Sequence, residues 1–76
     1  MEYKITVEFA NGDTIHGFYP YYDLAHARFL EYIKSDLVSE EPIKRVSMWK
    51  LFLMNNDHEM SEFIGEYTSQ KFFMVN

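Results

Sequence analysis

Cysteine is absent, glycine occurs three times, proline twice and tryptophan once in a chain of 76 residues. Each shortage excludes something. Without cysteine there is no disulfide framework and no thiolate zinc site. Three scattered glycines do not make a phosphate-cradling loop. No apolar run approaches the roughly 18 residues that a membrane span requires. The opening Met1-Glu2-Tyr3-Lys4 has neither the basic start nor the apolar stretch of a signal peptide. Together these predict an intracellular, cytoplasmic protein with no membrane partner. Basic residues are also scarce. Seven Lys and Arg stand against twelve Asp and Glu, a net charge of −5 that works against direct binding of nucleic acid. The length predicts a single domain over residues 1–76 and is too short for a dinucleotide fold with a second lobe.

What the chain has in quantity is aromatic side chains. Phe, Tyr and Trp make up 18% of it, and apolar residues 47%. That composition is the opposite of a disordered chain. A domain this small leaves much of its surface in water, so some of these rings are expected at the surface or against a partner.

Tyr3, Ile5, Val7 and Phe9 alternate with Lys4, Thr6 and Glu8, the period of a half-buried strand. Asn11-Gly12 marks a hairpin, and Thr14 to Tyr19 is its second strand. Opposed residues share a face, so Val7 is expected opposite Ile15 and Phe9 opposite Asp13. That leaves a loop of Ala10, Asn11 and Gly12, with Gly12 at positive φ. Lys4, Thr6, Glu8, Thr14, His16 and Phe18 then share the outer face. After Pro20-Tyr21-Tyr22, a helix is expected from about Asp23 to Asp36. Its apolar arc is read as Ala25, Phe29, Leu30, Tyr32, Ile33 and Leu37, with His26 inside it as a core-edge histidine. Arg28, Glu31, Lys34 and Ser35 form the wet side. Phe29 and Ile33 are expected against the inner face of the first strand.

Ser39-Glu40-Glu41-Pro42 breaks the pattern. Ile43 to Met54 is strand-like and apolar at both parities: Val46, Met48, Phe52 and Met54 on one side, Trp49, Leu51 and Leu53 on the other. A strand of that kind lies centrally or is covered on both faces. Asn55-Asn56-Asp57-His58 is a turn. In the next segment Met60, Phe63, Ile64 and Tyr67 have helical spacing, but Gly65 falls in the middle. A strand over Met60–Thr68, closing a second hairpin, is the preferred reading. The tail Lys71–Val75 is apolar enough to dock. The fold class that follows is α+β: a ββαββ domain with an antiparallel sheet in order 2-1-3-4 and one helix on one face. One helix covers one face. The other requires the tail, a second subunit or a target.

Signals for chemistry are weak. His58-Glu59-Met60-Ser61-Glu62 matches the first half of the zinc-protease pattern His-Glu-x-x-His, with Glu62 where the second histidine belongs. His16 and His26 have no Ser, Asp or Glu partner at a defined spacing. No catalytic residue, metal ligand or cofactor is therefore expected. The acids Asp57, Glu59, Glu62 and Glu66 do cluster. On a regular strand Glu62 and Glu66 share a face about 13 Å apart, a spacing relevant to nucleic-acid mimicry.

The hairpin Phe9-Ala10-Asn11-Gly12-Asp13, the aromatic turn Tyr19–Tyr22, the helix Leu24–Lys34 and the strand Val46–Leu53 together resemble small phage-encoded accessory proteins, among them anti-CRISPR and other anti-defence proteins. That resemblance implies a compact acidic protein that blocks a host enzyme or defence complex by binding it. The leading expectation is a non-enzymatic protein-binding inhibitor whose target is a protein, such as a nucleic-acid-binding enzyme. Its partner-binding surface is expected at Phe18, Tyr21, Tyr22, Phe52 and Tyr67, rimmed by Glu59, Glu62 and Glu66. Trp49 joins them if the third strand faces the other way. The alternatives are a homodimeric assembly protein that buries its open sheet face against its own copy, and a small enzyme or metal-dependent hydrolase.

Overall fold

Gly12 sits at φ 98°, a conformation that costs a residue with a Cβ, and it closes the first hairpin. Its N–H donates to the Phe9 carbonyl at 3.0 Å, and the Phe9 N–H donates to the Asp13 carbonyl at 2.8 Å. The Asn11 side chain stiffens the loop, its oxygen accepting from the Asp13 N–H at 2.9 Å and its amide donating to the Asp13 carboxylate at 3.1 Å. This turn joins β1 (Glu2–Phe9) to β2 (Thr14–Tyr19), with Val7 opposite Ile15 and Lys4 opposite Phe18.

The computed structural model describes residues 2–38, 43–53 and 59–69. Beyond β2 they form α1 (Tyr22–Val38), β3 (Ile43–Leu53) and β4 (Glu59–Thr68). The Ser39–Pro42 break, Met54, the Asn55–His58 turn with its histidine, and the Lys71–Val75 tail lie outside the described residues. The sheet is antiparallel throughout, in order β2-β1-β3-β4, with α1 packed on one face. The architecture is the α+β, ββαββ fold that the sequence predicts. The segment Glu59–Thr68, for which helical spacing competed with a strand, is strand.

β1 and β3 lie centrally, and their inward residues form the core. Ile5 stands opposite Met48 and Val7 opposite Val46, and all four are buried with Ile43 and Ala25. Tyr3, Phe9, Tyr19, Phe29, Tyr32 and Tyr67 pack around this centre. Alternation along β1 therefore assigns its faces as expected, with Ile5, Val7 and Phe9 opposite Met48, Val46 and Ile43 on the inward side.

The helix departs from the sequence reading in two ways. It extends through Val38, and its buried stripe is rotated. Leu30 and Leu37, expected inside, are exposed, as is His26, which instead stacks on Tyr22 with ring centres 5.5 Å apart. The side chains that turn inward are Ala25, Phe29, Tyr32 and Asp36. Asp36 falls only about 20° around the wheel from Ala25, so it belongs to the same stripe despite its charge.

Asp36 is 1% exposed, and its Oδ2 accepts a hydrogen bond of 2.7 Å from the Tyr67 hydroxyl on β4. A buried carboxylate needs such a donor. Tyr67, expected on the partner surface, is thus a half-buried residue on the helix side that ties the helix to the far strand. Its phenol is held above its ordinary pKa, first by the bond to Asp36, then by burial and by the charge of Asp36. At the end of β4 the Ser69 N–H donates to the Lys44 carbonyl at 3.0 Å, and Ser69 is fully buried.

Two irregularities escape a period-two reading: β3 has an extra residue, Lys44, against Glu8 and Phe9 of β1, and β4 has one against β3. Gly65 pairs with Met48, yet Phe63 pairs with Trp49, so Ile64 is an extra residue in a β-bulge. The two halves of β4 consequently follow opposite parities. Glu66 lies opposite Ser47 on the open face, whereas Glu62 lies opposite Lys50 on the helix side. The expected placement of both acids on one face is therefore overturned, because the bulge inverts the alternation between them.

Candidate protein-binding face

The face of the sheet turned away from α1 is built in rows, since strand pairing fixes which residues stand side by side. One row runs across all four strands: Phe18 on β2, Lys4 on β1, Trp49 on β3 and Phe63 on β4. With strands about 4.8 Å apart, this row is about 14 Å wide. Phe18 is 56% exposed and Phe63 50%. Trp49 is half-buried, its ring meeting that of Phe63 edge to face with centres 5.1 Å apart. Such a pair holds both rings in place and adds stability beyond the area it covers.

The adjoining row is polar: His16, Thr6, Ser47 and Glu66. Thr6 Oγ1 and His16 Nδ1 are 3.1 Å apart across the hairpin. The row beyond is Thr14, Glu8, Arg45 and Thr68, where Arg45 and Glu8 form an ion pair at 3.4 Å. On the other side of the aromatic row, Glu2, Leu51 and Ser61 stand together. The face thus grades from apolar to charged along the strands. Lys4 and Arg45 are interleaved with Glu2, Glu8 and Glu66, so it does not present a run of like charges.

The residues expected to form one partner surface are distributed over several. Phe18 and Glu66 belong to the open face. Tyr21 and Tyr22 lie at the start of α1, exposed, with the Tyr22 ring edge-on to Tyr3 at 5.7 Å. Phe52 pairs with Met60 on the helix side, where β3 and β4 run past the end of β1. Phe52 is half-buried there, not exposed, because β3 faces the opposite way from the reading that placed it outward. Glu62 shares that side, Glu59 opens β4 opposite Leu53, and Tyr67 is half-buried against the core on the helix side. The same reversal of β3 brings Trp49 to the open face. Phe63 was missed as a site residue. Its only sequence signal, adjacency to a strand with Trp49 at the outward parity, depends on a register that the bulge alters.

A groove runs beside β2 on the helix side, lined by Tyr19, Leu24, Ala27, Arg28 and Glu31. Arg28 donates to Glu31 at 2.8 Å and lies over the Tyr32 ring at 5.3 Å; the Glu31 bond first, and Tyr32 after it, raise the pKa of its guanidinium. Among the described residues, no three His, Asp or Glu side chains converge in a metal-holding cluster, and no helix is long and apolar enough to cross a membrane.

No family model, curated protein or solved structure matches the chain.

Proposed function

We propose that this protein is a binding module that docks a protein target on the open face of its sheet and, by occupying the target, inhibits it. The observation that carries this reading is the row of Phe18, Lys4, Trp49 and Phe63, in which three rings and one cation are held across four strands without a covering element among the described residues. Aromatic residues are where binding energy concentrates in protein interfaces, and a rigid sheet presents them with little ordering cost. The polar and charged rows alongside supply a rim of hydrogen-bonding groups and mixed charge, the anatomy of a protein interface. A cytoplasmic host enzyme or defence complex is the kind of target that fits the resemblance to phage accessory proteins.

The test is capture from host lysate with the wild-type chain, Trp49→Ala, Phe63→Ala and Leu37→Ala. Leu37 is an exposed helix residue far from the face and serves as the control. A target retained by the wild type and Leu37→Ala, but lost with Trp49→Ala and Phe63→Ala, supports the reading. A target bound equally by all four rules out this face.

A further inference from the structure

The two edges of the sheet are unequal. β4 carries acids on both faces, Glu62 and Glu66, and its bulge at Ile64 disrupts a straight ladder. Charges and bulges are the usual devices that keep an edge strand from pairing with another chain. β2 has neither. Its six residues, Thr14-Ile15-His16-Gly17-Phe18-Tyr19, include no Lys, Arg, Asp or Glu, and they pair with β1 in unbroken register. Pro20 follows and ends the strand.

The hydrogen-bond phase of β2 is fixed by its turn. Phe9 directs its N–H to Asp13, so Ile15, Gly17 and Tyr19 direct their N–H and C=O groups to β1. Thr14, His16 and Phe18 therefore direct theirs to the outer edge, which pairs with no other strand among the described residues. On either side of that edge stand exposed apolar side chains. Ile15 is 44% exposed on the helix side, and Phe18 is exposed on the open face.

We infer that the β2 edge pairs antiparallel with β2 of a second copy about a two-fold axis through His16. This register places His16 opposite itself and Thr14 opposite Phe18 of the second copy, so all three outward residues of each strand find partners. Ile15 then stands opposite Gly17 of the second copy, whose missing side chain leaves the Tyr19 ring lying over it. A shift of one step along the pleat would set Thr14 against Pro20, which has no N–H to give. The second copy is the favoured occupant because an isologous contact must be self-complementary. An uncharged strand meets this condition, whereas β4 against its own copy would bring acids together. The result is two four-stranded sheets joined into one, with both helices on one side and both aromatic rows on the other. This inference does not rest on the proposed target: it is tested on the purified chain alone.

The experiment is analytical ultracentrifugation over a wide concentration range on the wild type, His16→Glu and His16→Lys. His16 is exposed, and circular dichroism checks that each variant keeps its fold. The wild type is expected to dimerise. Each variant places like charges across the axis, and its dimer dissociation constant is expected to rise by more than about tenfold. Mixing His16→Glu with His16→Lys is expected to restore a dimer containing one of each. A wild type that stays monomeric to millimolar concentration overturns the inference, as do single variants that dimerise unchanged or a mixture that fails to pair.

Discussion

The two faces of the sheet are made by the same four strands and solve different problems. On the helix side, Ile5, Val7, Val46 and Met48 are almost wholly buried and uniformly aliphatic or thioether. On the open side, their immediate neighbours along the chain, Lys4, Thr6, Ser47 and Trp49, alternate between charge, hydroxyl and ring. The covered face gains stability from area removed from water and from close packing. The open face has less to gain from folding, so its composition is free to serve recognition. The contrast lies between adjacent residues, and a one-residue change of register would exchange the two roles.

Substitutions can break that contrast or sharpen it. The largest effect on folding is expected at the covered face. Ile5→Ala leaves a cavity between β1, β3 and α1 and should cost about 2–5 kcal/mol, read as a lower urea midpoint with unchanged slope. A loss as large from Thr6→Ala, one residue away on the other face, would break the comparison.

The open face should show the reverse balance. Trp49→Ala is expected to weaken target binding by about 2 kcal/mol or more, chiefly through faster dissociation. Its cost to stability should be smaller than that of Ile5→Ala, measured by the same urea titration.

Tyr67 belongs to the covered face at its margin, since it lies on the outermost strand yet bonds to the helix. Tyr67→Phe removes the donor to a buried carboxylate and should cost about 1.5–3 kcal/mol at neutral pH. The phenol is held above its ordinary pKa of 10.0 in the fold. Its contribution is therefore complete below that value and is lost as pH rises through the higher folded value. Wild-type stability should accordingly fall on the alkaline side more steeply than that of Tyr67→Phe. Parallel alkaline limbs in thermal melts would show that the Asp36 bond is not what holds the phenol.

The smallest expected effect is at the turn. Gly12→Ala forces a Cβ into positive φ and should cost about 1–2 kcal/mol, although nothing lies within 4 Å of the added carbon. Because the space is open, the cost is purely conformational. Gly12→Asn, better tolerated in that region, should recover part of it.

How much of this was legible in the sequence follows the range of the forces involved. The first hairpin was read to the residue because Asn11-Gly12 and strict alternation are local signals that agree. The strand order followed from connection rules. The buried stripe of α1 was misplaced because Asp36 was read as the end of the helix, and the Tyr67 hydroxyl that bonds it in the interior lies 31 positions away, beyond any local signal. β3 was apolar at both parities, so its facing could not be decided from its own residues. It is settled by Ile5 and Val7, whose partners are Met48 and Val46. The partner surface failed for the same reason. Phe52 and Trp49 exchange sides with the facing of β3, and the aromatic row with Phe63 exists only once the bulge has set its register.

The extra residue at Ile64 also governs how this chain is to be compared with others. A relative with a regular last strand would have to be aligned with a gap at that position. Without the gap, every residue from Glu59 to Phe63 would be equated with one that points the opposite way, and Phe63 would be matched to an inward position. Removing Ile64 leaves Gly65 on Met48 and Phe63 on Trp49, so a chain one residue shorter should keep both pairings while losing the kink. For this protein, a missing residue at one site would preserve the surface that a simple shift of the same strand would destroy.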